Sequence, residues 1–569
     1  MTHRMGFLTA LVFLAIPLNS AAVAKDWVAK VVSVEGTIEA QLAGQEVWQT
    51  AKVGDTYYPG DTVRVPQWRA AIVLSNETII RLDRGTIITF TKVEEEKPAW
   101  LNIVEGIVHF ISRVRLRLNV TTPFVNAFVE GTEFVIQVER GNINQTRVWV
   151  IEGRVRVQNQ HGSLVLIQDQ AAVAKEGQAP LRLDFRLRDA VQWALYYPPL
   201  IDTRTEMLTG PNQQTLEGAL AMYHGGDLLL ALRQLDAVSP DQRDTPFYNL
   251  RAGLLLSVGR VERARDDIAQ SMALDPSNGV ALALHSIIDL AQNEKEAALE
   301  KARKAVKHTP DSPVTHMALS YAQQAAFDID LALESSQEAT RLAPKNGLAW
   351  ARVSELWLSK GYLDESLEAA DKAVAKNPDL SRTQTVLGFA ALTQAKIKRG
   401  RKAFEKAIEL DSADPLPRLG LGLAKIKKSD LAEGRREIEI AASLDPNNSL
   451  IRSYLGKAYY EERRDPGPSY PLDFSEELPK SLSGSQFALA KEFDPQDPTP
   501  YFYDAIRKQS INRPVEALQD LRKSIELNDN RAVYRSRLLL DEDHAARSAT
   551  IGRIYSDLGF QQRALVEGW

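Results

Sequence analysis

Two hydrophobic periods divide the chain. Up to about residue 175 apolar and polar positions alternate in steps of two, and further on they recur in steps of three and four. In the first part, 28–39, 70–80, 86–91, 107–120, 134–138, 147–157 and 163–173 alternate or run β-branched, with Gly, Asp and Asn between them. This spacing predicts short strands in an all-β domain of about 150 residues, built as a sandwich, roll or β-solenoid. In the second part Pro276, Pro310, Pro344 and Pro378 stand 34 residues apart, Ser412 keeps the step, and Pro446 resumes it. Proline cannot continue a helix, so a regular proline marks the end of a regular helical unit.

The inside of one unit explains the step. In 347–380, Trp350, Val353, Ser354 and Trp357 share one face of a first helix. The second helix carries Ser366, Ala370 and Ala373 and stops at Asn377-Pro378. Small side chains recur at Ala264, Ala298, Ala332 and Ala517, and again at Ala305, Ala339, Ala373, Ala407, Ala441 and Ala490, where two helical backbones can approach closely. The pattern resembles the tetratricopeptide (TPR) family, which implies an all-α solenoid, a right-handed superhelix of helical hairpins.

Nine units are expected over 211–569, a degenerate one from Pro211 and others starting at Thr245, Gly279, Pro313, Gly347, Ser381, Pro415, Ser449 and Pro498. Residues 464–481, with Asp465-Pro466-Gly467-Pro468, read as a loop inserted in the eighth unit. A partial tenth unit, with Gly552, Tyr555, Gly559 and Ala564, stops at Trp569 in mid-helix, so a longer chain or a covering element is expected there, or a frayed last helix.

The β part has its own landmarks: Val34-Glu35-Gly36, Val53-Gly54-Asp55, Pro59-Gly60-Asp61-Thr62-Val63-Arg64, Ala70-Ala71-Ile72-Val73-Leu74, Val104-Glu105-Gly106, Thr121-Thr122-Pro123-Phe124, Glu130-Gly131-Thr132-Glu133-Phe134 and Val150-Ile151-Glu152-Gly153. In order and spacing they resemble the FecR family, the periplasmic part of a regulator of iron-siderophore uptake, across nearly all of 25–180. Glu133 reads as a carboxylate satisfied in a turn, with a partner-facing role as the alternative. A regulator of that kind implies a cytoplasmic segment and one membrane helix ahead of the β domain. Neither is visible here, so its signalling role does not carry over. An exported FecR-like domain followed by TPR units resembles large envelope proteins of Gram-negative bacteria, some of which continue into an outer-membrane barrel.

Residues 1–24 read as a secretory signal peptide, with His3 and Arg4, an apolar run and Ala22-Val23-Ala24. The expected location is the periplasm or cell envelope. The chain has no cysteine, which excludes disulfides and thiolate metal sites. Its net charge of −5, with no basic concentration, argues against nucleic acid. The eight histidines form no ligand-like pair, Gly420-Leu421-Gly422 lacks the third glycine of a dinucleotide loop, and no phosphate loop or nucleophile elbow occurs. No catalytic residue, metal or cofactor is expected, and the chain reads as no enzyme.

Two binding surfaces are candidates. The first-helix positions of the units place Ile287, Met317, Tyr321, Phe389, Leu392, Leu419, Leu423 and Ile426 on a mostly apolar groove suited to a peptide or an amphipathic helix. The alternatives are internal packing, or cover by the chain's own insert. On the β part, Arg113, Arg115 and Arg117 project from one strand face and could hold an acidic partner or an anionic envelope polysaccharide, solvated charge being the plainer reading. Between the domains, 181–210 is a helical and aromatic linker that docks one on the other. These readings predict an exported scaffold that binds proteins or envelope polymers. The alternatives are a sensory module working with an outer-membrane transporter, or an accessory of a barrel that secretes polysaccharide.

Overall fold

The computed structural model describes residues 27–91, 99–112, 118–183, 196–201, 212–224, 228–257, 259–292, 294–463, 481–527, 552–556 and 561. An N-terminal β region precedes a TPR-like solenoid of eighteen described helices.

Thirteen strands form one sheet. They are β1 (Ala29–Gln41), β2 (Gln49–Ala51), β3 (Thr56–Tyr57), β4 (Thr62–Leu74), β5 (Ile79–Leu82), β6 (Thr86–Phe90), β7 (Ala99–Ile111), β8 (Leu118–Thr121), β9 (Asn126–Glu139), β10 (Gln145–Asn159), β11 (Gly162–Ile167), β12 (Gln170–Lys175) and β13 (Leu181–Leu183). The path runs β13-β12-β10-β9-β8-β7-β5-β4-β1-β2. The pairs are antiparallel except β7 with β8. The last strand lies just past residue 180, so the sheet reaches into the segment read as linker.

Three of the predicted strand runs break in two. Within 70–80 the chain turns at Asn76-Glu77: Glu77 takes a left-handed φ of 68° and Asn76 Oδ1 accepts from the Thr78 amide at 3.1 Å. Asp169, at φ 63°, separates β11 from β12 in the same way. In 107–120 strand β7 ends at Ile111 and β8 begins at Leu118.

Both faces of the second half of β4, from Trp68 to Leu74, are turned away from solvent. Ala70, Ile72 and Leu74 join the sheet's own core with Val31, Phe90, Phe110 and Val148, while Ala71 and Val73 point the other way, into a cluster of helical residues. An unbroken apolar run is what a strand covered on both sides requires.

The helices are α1 (Gln213–His224), α2 (Leu228–Asp236), α3 (Thr245–Ser257), α4 (Val261–Leu274), α5 (Gly279–Ala291), α6 (Lys295–His308), α7 (Pro313–Ala325), α8 (Ile329–Leu342), α9 (Gly347–Lys360), α10 (Leu363–Lys376), α11 (Ser381–Thr393), α12 (Ile397–Leu410), α13 (Pro415–Ile426), α14 (Leu431–Leu444), α15 (Ser449–Glu461), α16 (Leu482–Phe493), α17 (Pro498–Ser510) and α18 (Pro514–Glu526). The first helices of successive hairpins open at Thr245, Gly279, Pro313, Gly347, Ser381, Pro415, Ser449 and Pro498. Asn278, Asn346 and Asn448 cap three of these starts, accepting from the amides of Ala281, Ala349 and Ile451. The recurring alanines of the second helices, Ala264, Ala298, Ala305, Ala332, Ala339, Ala373, Ala407, Ala441, Ala490 and Ala517, are fully buried.

Glycines do the same work where a large ring intervenes. Phe404 of α12 lies between Gly388 of α11 and Gly420 of α13, and a Cβ at either would meet its ring at 2.4 and 2.2 Å. Gly422 approaches the Gly434 carbonyl, with 2.6 Å left for a Cβ. The Gly-Leu-Gly sequence is therefore a helix-packing device.

Candidate functional site: a buried ionic seam between sheet and solenoid

The outer face of the sheet rests on helices of the central and later repeats, first and second helices alike. Ala71, Ile79 and Ile111 share one cluster with Phe389, Leu419, Leu423, Ile451 and Tyr454. Val135 and Ile151 meet Leu489 and Phe493 in another. Around this apolar contact runs a set of polar ones, and at its centre Arg452 of α15 grips Glu133 of β9. The guanidinium Nη1 donates to Glu133 Oε2 at 2.7 Å and Nη2 to Oε1 at 2.6 Å, a two-pronged bond between residues 319 apart.

Each end of that pair is held in place. Arg452 Nε donates to the Pro446 carbonyl at 2.8 Å, and Nη1 also to Gln486 Oε1 at 3.0 Å. Gln486 Nε2 in turn donates across the seam to Glu152 at 2.9 Å. His109 Nε2 lies 2.9 Å from Glu133 Oε1. Burial pushes the Glu133 carboxyl upward, but the Arg452 charge and the hydrogen bonds of Arg452 and His109 outweigh it and hold the group well below the usual carboxylate range. Burial depresses His109 despite its pairing with Glu133, so the ring is neutral near pH 7 and Nε2–H is the donor. Its Nδ1 is buried and has no partner among the described residues.

A second contact uses Glu77, which the left-handed turn aims at α14. Arg435 Nη2 approaches it at 3.2 Å and Arg436 Nη2 at 2.5 Å. Arg435 is itself fixed by Glu439 and Glu462, and burial, which lowers its pKa, is outweighed by these carboxylates, which raise it.

The third contact is to the backbone of β1. A register shift between Val31 and Ser33 interrupts the pairing with β4, and Arg418 Nη2 donates to the Val32 carbonyl at 2.7 Å. Beside it the Val34 amide donates to Ser412 Oγ at 3.1 Å, and Ser412 Oγ donates to the Val34 carbonyl at 3.4 Å. Ser412 holds the one step of the 34-residue beat from 276 to 446 where proline is missing. A proline there would supply no hydroxyl.

Further along, Glu35 accepts from Arg69 Nε at 2.7 Å and from Arg81 Nη2 at 2.8 Å. Burial and the Arg69 charge bring the Arg81 guanidinium down to about 10. Asp445, at the end of a second helix, faces Arg81 and Arg452; burial still lifts its carboxyl to about 6. Burial and the neighbouring Asp414 lift Asp411 to about 7.

The segment Tyr196–Ile201 covers the earlier repeats. Tyr197 and Leu200 pack with Trp68 of the sheet and with Leu250, Leu254 and Ile287. The Gly253 backbone lies so close to Ile201 that a Cβ would meet its Cδ1 at 2.7 Å.

The groove residues are thus covered by the chain itself. Ile287, Met317, Leu392, Leu419 and Leu423 are buried, with Phe389 at 4% exposure, and Tyr321 and Ile426 are half-buried. Ile287, Met317 and Tyr321 lie in the cluster with Trp68, and Phe389, Leu392, Leu419, Leu423 and Ile426 in the cluster with Ala71, Ile79 and Ile111. Arg113, Arg115 and Arg117 lie outside the described residues, as do 1–24 and the insert 464–480.

The sequence reading missed the arginines. Arg418 and Arg452 are 34 residues apart, at the same place in successive first helices, and that spacing was the available signal. Arg352 and Arg382 are also buried on this wall, bracketing Glu355 at 3.0 and 2.5 Å, and Arg352 lies over the Tyr321 ring. The wall is apolar with inlaid guanidiniums.

Residues 61–156 match the family described as FecR protein. No curated protein sequence matches the chain. Among solved structures, the chain is similar to the Cut9–Hcn1 hetero-tetramer of the APC/C, with 14% identity over 62% of this chain and 73% of that one, at TM-score 0.43. A thermophilic TPR protein of Thermus thermophilus shows 19% identity over 32% of this chain and 99% of its own, at TM-score 0.30. A candidate anti-sigma factor from Parabacteroides distasonis shows 18% identity over 24% and 69%, at TM-score 0.21. At such identities and TM-scores these likenesses say nothing of function. Residues 61–156 thus carry a FecR-type domain within the sheet of 29–183, and the described helices from Gln213 onward form a TPR-like helical solenoid.

Proposed function

We propose that this chain is an exported, non-enzymatic scaffold of the cell envelope that works by binding protein surfaces. One observation carries the reading: the solenoid wall already engages a folded sheet face, with apolar side chains at the centre and guanidiniums matched to carboxylates and carbonyls around it. That is protein recognition performed within one chain. Export rests on the signal-like residues 1–24, and the absence of a reaction on the FecR and TPR-like regions, both of a kind that binds. Among the described residues no helix is long and apolar enough to cross a membrane.

The test is retention. The intact chain and an Arg452→Glu chain, each immobilised, are incubated with envelope extract, and specific protein partners are expected on at least one. Retention of nothing by either would remove the scaffold reading. A second reading is regulatory, with the FecR domain passing a signal to the helices through the seam; the family match over 61–156 favours it. It predicts that a ligand of the FecR domain changes which partners the helices retain.

A further inference from the structure

We propose that the solenoid wall is a receptor for a carboxylate-bearing sheet face, that the chain's own FecR region is its resident occupant, held as a releasable latch, and that the same face of a second copy can take its place. This rests on the scaffold reading and names its regulation and one partner. Three observations support it.

The first is that each region also has a core of its own, apart from the clusters the two share at the plane. The main sheet cluster contains residues 29–174 and no helical ones, and two of the solenoid clusters contain helical residues only. The plane between them is bridged by sheet side chains such as Trp68, Ala71, Ile79, Ile111, Val135 and Ile151, each of which belongs to a cluster with helical residues and not to the main sheet cluster.

The second is a consistent polarity. In all three described ion pairs across the plane the carboxylate belongs to the sheet and the guanidinium to the helices: Glu77 with Arg435, Glu77 with Arg436, Glu133 with Arg452. Ions buried at a plane regain water when it opens, which an apolar core cannot do, so this is the surface along which the molecule separates most easily.

The third is geometric. Arg452 is positioned by its own region, through the Pro446 carbonyl and Gln486, and Arg435 through Glu439 and Glu462. The cationic sockets are preorganised independently of the occupant, as a receptor requires. A second copy offers the same Glu133, Glu77 and β1 carbonyls, and is the one partner whose complementarity the structure displays in full.

Reversed charges test this in the full-length chain. Glu133→Arg and Arg452→Glu, singly, are expected to lower hydrogen-exchange protection of the Val34 amide, which donates to Ser412, by at least about a hundredfold. Amides of the β9–β10 ladder and of α9 and α10 should keep theirs. Glu77→Lys, at the more exposed contact, should act in the same direction and more weakly. The two single variants mixed should form a dimer, because each supplies the charge the other needs, one interface reversed and the other native. Unchanged protection of Val34, loss of protection throughout both regions, or a mixture that stays monomeric would each overturn the proposal. Exchange and mass need no outside partner, so this result is separate from the retention test.

Discussion

At the scale of single residues, Trp68 over Gly36 sets a close constraint. These residues face each other in the β1–β4 ladder, Trp68 itself adopts a left-handed φ of 72°, and a Cβ on Gly36 would meet Trp68 Cε3 at 2.6 Å. The indole cannot easily yield, because its other side packs with Tyr197 and Leu200. Gly36→Ala, with the glycine at φ 81°, should therefore cost about 2–3 kcal/mol of stability in denaturant unfolding. A loss under about 0.5 kcal/mol would mean that the ring is free to move. Asp411 gives a pH prediction. Its carboxyl is raised to about 7, mainly by burial and then by Asp414, so the folded chain holds a proton that the unfolded chain releases from its ordinary value of 3.8 upward. Stability from this group is present below that ordinary value and declines as pH rises toward 7. Asp411→Asn keeps an acceptor for the Ala413 amide and has no proton to lose, so its unfolding midpoint should fall less than the parent's between pH 4.5 and 7, roughly the span of the two values. Equal slopes in parent and variant would refute the assignment.

At the scale of elements, the helical hairpins were legible because their determinants are local. A proline in most units, an asparagine cap in three and small side chains at two positions of the second helix recur along the solenoid, and these set the helix ends and the closest approach whatever lies outside. The strands were less legible: 70–80 reads as one β run, although Ser75-Asn76-Glu77-Thr78 separates its apolar residues and Glu77 turns the chain with a left-handed φ. Phe404 shows what local packing is worth. Pinned between Gly388 and Gly420, its ring has no direction in which to retreat. Gly420→Ala gains about 1 kcal/mol of helix propensity and should still lose about 1–3 kcal/mol overall through crowding, read as a lower unfolding midpoint. A stabilised variant would show the ring to be less confined than its neighbours imply. The groove residues Phe389, Leu419 and Leu423 lie on first helices as their register required; the sheet side chains that share their cluster could not be read, because Ala71, Ile79 and Ile111 precede them by some three hundred residues and share no local pattern with them.

At the scale of the whole molecule, the seam makes sheet and solenoid one thermodynamic body. Arg452→Ala leaves Glu133 buried without its main partner, a loss of about 3–5 kcal/mol. Calorimetry of the parent should show the FecR domain and the central repeats unfolding in one transition, and the variant should show two, the solenoid's separate from the sheet's. A variant that still unfolds in one step would show that apolar contact alone couples them. This level of organisation was the least visible beforehand. Glu133 read as a carboxylate satisfied in a turn, with a partner-facing role as the alternative, and only the pairing of residues 319 apart shows it in strand β9, gripped by Arg452. One further consequence follows from the Tyr196–Ile201 segment, which lies against the earlier repeats midway between sheet and first helix. Because that contact is made within one chain, the sheet experiences a high effective concentration of its own docking surface, and reclosure outpaces capture by a dilute competitor. Any rival for that surface must therefore be abundant, or itself tethered nearby.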